Sequence, residues 1–279
     1  MFIPDFLICP NCAAALIIGQ RDARCANGHL FDRAREGYFN LLVGGRLPTD
    51  KVAGDTSAAL LARRRFLEGG HYQPISDALG AMIGQVAGPV LDVGCGEGYY
   101  LSRVRADRAV GLDISKAAIK MAARQYGDMV FVVGSAYRLP VQAQSVAVVL
   151  SVFAQRPYEE FQRVLRDDGL LVTVSPGSHH LRELTARSAE VDSIKQVQRA
   201  QARTVAPFSS GDSQRVRYKL ALSADASRDL VQMTPLNWQS EAHQRLQTGL
   251  EAVTVDVWVN RVSAADLVSH PTKPIDPAR

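Results

Sequence analysis

The chain has 279 residues, 47% hydrophobic and 22% charged, which is enough apolar content to bury a full core and excludes a disordered polymer. No apolar run approaches the ~18 residues of a membrane span, and the opening segment carries Asp5 with no basic stretch, so neither a transmembrane helix nor a signal peptide is expected. The formal net charge of +4 permits a nucleic-acid partner without requiring one. These bounds describe a soluble cytoplasmic protein with one large domain and one small one.

The small unit comes first. Cys9-Pro-Asn-Cys12 is a C-x2-C knuckle, and Cys25 and His29 follow after a stretch that suits a hairpin, Ala13 to Arg24. In a chain without an export signal, metal binding is favoured over disulfides. Three thiolates and one imidazole complete a tetrahedral zinc site with no open position, so the metal would be structural. The bland alternative, buried free thiols and a chance histidine, fits the four-ligand spacing less well. Residues 1–42 are therefore expected to form a zinc-binding module.

Residues 43–88 read as a linker with helices that line a cleft. Gly44–Asp55 is rich in Gly, Pro and Asp and marks a loop. Thr56 or Ser57 can cap a helix over 58–67. That helix carries Arg63-Arg64-Arg65, which is either a partly solvated face with one intrahelical ion pair or a phosphate grip. His71 and Tyr72 form a turn into a second helix, 75–86, and could serve either core packing or a bound ligand.

From 89 the chain alternates strand and helix. Strands are expected near 89–93, 109–113, 129–133, 145–152, 169–175, 214–222 and 251–260, and helices near 98–106, 115–126 and 157–166. This pattern predicts an α/β, Rossmann-like domain over 89–263, with a seven-stranded sheet that is parallel except for one member. The tail, 264–279, with Pro271, Pro274 and Pro277, is expected to be loose.

The chemistry centres on Val90-Leu-Asp-Val-Gly-Cys-Gly-Glu-Gly-Tyr-Tyr-Leu101. Gly94, Gly96 and Gly98 form a tight turn between a strand and the following Tyr99, Tyr100 and Leu101, close enough for a nucleotide to approach the backbone. Asp92 at the strand end would be a poor neighbour for a pyrophosphate but suits a sulfonium and an ammonium. Asp113 closes the next strand, where a carboxylate accepts from ribose hydroxyls. Together these residues point to S-adenosylmethionine (SAM) rather than NAD.

The core resembles the class I SAM-dependent methyltransferases, and the resemblance narrows further. Cys9-Pro-x-Cys12, Cys25-x3-His29, Glu36-Gly-Tyr-x-Asn-Leu-Leu42, Ala62-Arg-Arg64, Gly70-His-Tyr-Gln-Pro74, Asp92–Tyr100, Gly111–Lys116, Pro176-Gly-x-x-His-Leu181 and Met233-Thr-Pro235 are similar to the 23S ribosomal RNA guanine-N1 methyltransferases, including the macrolide-resistance type. The resemblance implies SAM held by Tyr72, Asp92, Gly94, Gly96, Gly98, Tyr99, Tyr100, Leu101, Asp113 and His180. It also implies zinc on Cys9, Cys12, Cys25 and His29, and an RNA hairpin gripped by Arg63, Arg64 and His71. A symmetric dimer would extend that surface, and the sequence does not settle it. The chain departs from the family at Asp167-Asp-Gly169, at Ala154-Gln-Arg156 beside the fourth strand, and at Ser135, where many class I enzymes hold the adenine with an acid.

Guanine N1 carries a proton that must leave. Asp55 is a candidate acceptor, with His180 and water as rivals, although Asp55 could instead cap the helix at 57. Two other classes remain open: a small-molecule methyltransferase, which has no evident need of a zinc module, and a non-catalytic zinc-ribbon RNA-binding protein on the same scaffold.

Overall fold

Val146–Val152 (β8) is buried along its whole length, and the large sheet is built outward from it. Seven consecutive buried residues are what a parallel strand covered on both faces requires. The computed structural model describes residues 4–43, 56–106, 108–186, 211–234 and 250–267. Within them the N-terminal strands are β1 (Leu16–Ile18), β2 (Asp22–Cys25), β3 (Leu30–Asp32) and β4 (Phe39–Asn40). Helices α1 (Ser57–Glu68) and α2 (Gln73–Ile83) follow. The core then runs β5 (Val90–Val93), β6 (Ala109–Asp113), α3 (Lys116–Gln125), β7 (Val130–Val133), β8, α4 (Tyr158–Val164) and β9 (Leu165–Pro176). It closes with α5 (Arg182–Ala186), β10 (Asp212–Ala221), α6 (Ala224–Met233), β11 (Ala252–Ser263) and α7 (Ala264–Leu267).

The large sheet has the order β10-β11-β9-β8-β5-β6-β7-β4. Only β11 runs against its neighbours, as the alternating pattern predicts. The eighth strand was not foreseen: β4 leaves the zinc module and adds in parallel to the outer edge of β7, Phe39 opposite Val132 and Asn40 opposite Val133. The winding reverses at β5, so a crevice opens at the carboxyl ends of β5 and β8, where open α/β sheets bind ligands.

One face of the sheet is covered by α1, α2, α3 and α6 through residues such as Phe66, Ile75, Ile119 and Leu230. The other is covered by α4, α7 and the zinc module. Phe6, Leu7, Leu16 and Phe39 share a core there with Leu91, Val110 and Phe161. The link from β7 to β8 contains no helix, and the amino-terminal segment takes that place, Ile8 donating its N–H to the Pro140 carbonyl at 2.9 Å. The module is thus a structural layer of the main domain as well as a metal site.

Several boundaries differ from the sequence reading: the helix expected over 75–86 runs Gln73–Ile83, the last strand extends to Ser263, and three larger differences have a visible cause. Instead of a helix over 98–106 there is one 3-10 turn, Leu101–Arg103. The Ser102 hydroxyl and the Arg103 guanidinium both donate to the Tyr99 carbonyl, which a continuing α-helix would use itself. β9 begins at Leu165 rather than 169, with a register shift opposite Val146–Val148 that absorbs exposed Asp167 and Asp168. The start of the expected tail is ordered, since Ala264 and Leu267 of α7 are buried; the three prolines of that tail lie outside the described residues.

Candidate active site and zinc centre

The sulfur atoms of Cys12 and Cys25 lie 3.7 Å apart, and Cys25 Sγ is 3.4 Å from His29 Nδ1. A tetrahedral ion with Zn–S of ~2.3 Å and Zn–N of ~2.0–2.1 Å has edges of about 3.8 Å and about 3.5 Å. All four ligand atoms, Cys9 included, lie within 4.8 Å of one another. The donor set fits a closed, structural zinc site. The hairpin of β1 and β2 brings Cys25 back to the knuckle, its turn closed by the Gly19 N–H on the Asp22 carbonyl.

The glycine turn follows β5. Gly94, Gly96 and Gly98 all adopt left-handed φ, +78°, +56° and +85°, which side chains other than glycine's rarely occupy. At Gly94 space is a second constraint, because a Cβ there would sit 2.4 Å from that of Ala154. The Asp113 carboxylate accepts from the Gly96 N–H at 2.9 Å and from the Ser115 N–H at 2.7 Å, which fixes the end of β6 against the turn. A ribose diol beside that carboxylate would meet an acceptor already oriented.

Asp92 is 1% exposed, and its Oδ1 has no partner within the protein. Burial, with Asp113 and Glu97 adding to it, pushes its carboxyl up to about 8. An acceptor left unsatisfied at this depth is costly, and a cationic ligand group would relieve it. The site therefore fits the ammonium end of SAM's methionyl arm.

Tyr72 and His180, 108 positions apart in sequence, come together with ring centroids 6.2 Å apart. Phe153 stacks on His180 at 5.8 Å and approaches Tyr72 at 6.4 Å. Phe153 was missed by sequence reasoning. Its φ of +53° at the carboxyl end of β8 is strained for an aromatic residue, a state that persists where surroundings over-determine it. Burial drives the His180 imidazole down to about 4, so it is neutral near pH 7. Its Nδ1 accepts from the Asp256 N–H at 3.3 Å, leaving the proton on Nε2. His180 is thus placed as a hydrogen-bond donor, which weakens its candidacy as proton acceptor.

Asp256 was also missed. Its fully buried carboxylate takes both arms of the Arg215 guanidinium, at 2.7 and 2.9 Å, and the His179 N–H at 3.0 Å. Arg215 holds it below the usual carboxylate range, and together they lock the 177–181 loop that carries His180. An aspartate inside a valine-rich strand was the available signal.

The other expected residues are distributed as follows. The rings of Tyr99 and Tyr100 meet edge to face at 5.0 Å, and both hydroxyls are buried without a protein partner. Leu101 is fully buried in the core. Ser135 accepts from the Tyr137 N–H, and the Tyr137 hydroxyl donates to Gln155 at 2.6 Å, so the unusual Ala154-Gln-Arg156 segment is tied to the β7 loop. Arg156 donates to the Val174 carbonyl at 3.0 Å. His71 packs on Phe66 at 4.6 Å, and its carbonyl accepts from the Tyr218 hydroxyl. The helix cap is supplied by Thr56, which accepts from the Ala59 N–H, and not by Asp55. Asp55 itself lies outside the described residues.

The three arginines of α1 diverge. Arg64 pairs with Glu68 at 3.0 Å and also donates to Gln125. Arg65 grips both oxygens of Asp229 on α6. Arg63 turns toward the glycine loop. A separate open groove on the zinc module is lined by Gln20, Arg21, Asp32, Arg33 and Arg35.

A family model described as "RlmA, N-terminal" matches residues 7–43, and one described as "Methyltransferase domain" matches residues 90–169. The chain is 35% identical over 268 residues to the 23S rRNA (guanine(748)-N(1))-methyltransferase of Streptomyces fradiae, covering 90% of this chain and 94% of that relative. The chain belongs to the 23S rRNA guanine-N1 methyltransferase family. A Micromonospora griseorubida protein provisionally assigned the same guanine-N1 activity is 38% identical, covering 92% of this chain and 95% of its own. By contrast, a malonyl-[acyl-carrier protein] O-methyltransferase of Methylovorus is 30% identical over only 59% of this chain. Family membership makes the chain a SAM-dependent methyltransferase with a zinc ribbon. Among the described residues no helix is long and apolar enough to cross a membrane.

Proposed function

We propose that the chain transfers a methyl group from SAM to N1 of a guanine in a hairpin of 23S ribosomal RNA. One observation carries this reading: a four-ligand zinc ribbon shares a continuous core with a methyltransferase sheet, in a chain related over 90% of its length to a guanine-N1 enzyme. When bound, SAM supplies an electrophilic methyl on a sulfonium. The protein's part is to hold acceptor and donor in line and to keep water out. Asp113 and the glycine turn would orient the nucleoside, and Asp92 the ammonium. Tyr72, Phe153 and His180 form an aromatic wall at the mouth of β8, suited to an unstacked base. The Nε2–H of His180 is placed to donate to that base, which favours Asp55 or solvent over His180 as acceptor of the N1 proton.

On this reading residues 1–42 bind RNA, 43–88 line the cleft, and 89–263 carry out the transfer. The groove of Arg21, Arg33 and Arg35, with Arg64 and His71, would meet phosphates, giving register more than sequence. A symmetric dimer would lengthen this basic surface. The test is to incubate the protein with methyl-labelled SAM and either 23S RNA or a metabolite extract, then map modified nucleotides by mass. Label on guanine N1 of the RNA supports the reading. Label only on a small metabolite, or on neither, overturns it.

A further inference from the structure

Arg63 occupies a different environment from its two neighbours on α1. Its Nη1 lies 4.0 Å from the position a Cβ on Gly96 would take, and its Nη2 donates to the Met233 carbonyl at 3.3 Å. Its charge also reaches Tyr72, where it opposes the upward push of burial on the phenol. The guanidinium thus sits between the glycine turn, the aromatic wall and the end of α6. Arg64 and Arg65 face Glu68 and Asp229 instead.

The methionyl arm of SAM is a zwitterion, and a partly buried zwitterion needs a partner for each end. The charged groups that bear on Asp92 beside the glycine turn are Asp113 and Glu97, both acids, so neither offers the carboxylate end a cation. We infer that Arg63 receives the α-carboxylate of the cofactor's methionyl arm, across the glycine turn from Asp92, rather than a phosphate of the RNA. This rests on the reading of the crevice as a SAM site. The guanidinium fork matches a carboxylate bidentately, which a backbone turn alone cannot do. It also makes the site selective for ligands that keep the amino-acid end. The bond to Met233 means the same side chain anchors the end of α6 beside the bound arm.

Isothermal titration separates these roles, using S-adenosylhomocysteine and 5′-methylthioadenosine, which keeps the adenosine and thioether but lacks the amino acid. Arg63→Met should weaken S-adenosylhomocysteine by about 10- to 100-fold, the range for a lost charge-assisted bond, and change 5′-methylthioadenosine by less than about twofold. Arg63→Lys should recover part of the loss. The salt dependence of RNA binding should stay at the wild-type slope in both variants. Unchanged S-adenosylhomocysteine affinity overturns the assignment. So does an equal loss for both ligands, the mark of a merely structural arginine, and thermal melts of both variants check that the fold persists. A flattened RNA salt slope with intact S-adenosylhomocysteine binding would return Arg63 to the phosphates. If wild-type protein bound neither nucleoside, the SAM site itself would fall, and Arg63 with it, an outcome distinct from the others.

Discussion

The zinc ribbon and the parallel sheet solve the same problem by different means. The strands of the ribbon are two to four residues long, with Ile17 and Leu30 exposed on its outer face. It cannot hold itself together by burial, and four ligands must supply the folding free energy. β5, β7 and β8 are buried at every residue, so packing is what holds them. One region is conditional on a metal, the other on packing, yet they share a core through Phe6, Leu7 and Phe39. A metal thus holds one layer of the domain while packing holds the others.

Removing the metal should have the largest effect. Structural zinc sites contribute on the order of 10 kcal/mol, so chelation or Cys25→Ser should unfold residues up to about 43 outright while the sheet persists. Hydrogen exchange should show protection lost in β1–β3 but kept in β8. Equal loss in both would mean the two regions fold as one unit.

Phe161→Ala attacks the other side. Phe161 is fully buried between α4 and the sheet, and truncation should cost about 3–5 kcal/mol of global stability. Zinc content, by elemental analysis, should remain one ion per chain. Metal lost along with stability would contradict the division.

Asp113→Ala should weaken S-adenosylhomocysteine by about 1.5–3 kcal/mol in calorimetry, with the zinc centre untouched. Unchanged affinity in a folded variant would remove Asp113 from the cofactor site.

Asp92 gives a pH signature confined to the sheet. Its folded carboxyl titrates near 8 and its unfolded one in the ordinary carboxylate range. Between those values the folded chain keeps a proton that the unfolded chain has released, so apo-protein stability should fall as pH rises through that window. Asp92→Asn should flatten the fall in urea melts, and a wild-type slope in that variant would refute the shift.

The smallest effects belong to Arg64 and Arg65. Their ion pairs are half exposed, so alanine at either should cost at most about 1 kcal/mol of stability. If Arg64 also meets a phosphate, its loss should reduce the log–log salt slope of RNA binding by about 0.7–0.9. An unaltered slope leaves only the ion pair.

The interior strands were legible to within a few residues, because a continuous apolar run such as Val146–Val152 has one natural place in an α/β fold. The zinc ligands and the tight glycine turn were legible because their geometry is local in sequence. What stayed hidden depends on distant partners. Arg63, Arg64 and Arg65 look alike in the sequence, and only the packing of α1 against α6 and the glycine turn separates them. The 98–106 helix was misread because two side chains, Ser102 and Arg103, compete for one carbonyl. β4 was invisible because two residues carry no periodicity.

That two-residue strand has a consequence for what happens when metal is scarce. β7 is Val-Phe-Val-Val, and β4 is its outer neighbour, reinforced by the Leu41 N–H on the Val133 carbonyl at 2.9 Å. If the ribbon lets go of its zinc, β4 has no anchor on its amino-terminal side, and an apolar, β-prone edge is bared to any other chain. Apo-protein is then expected to self-associate rather than persist as an idle monomer, which light scattering during chelation would register.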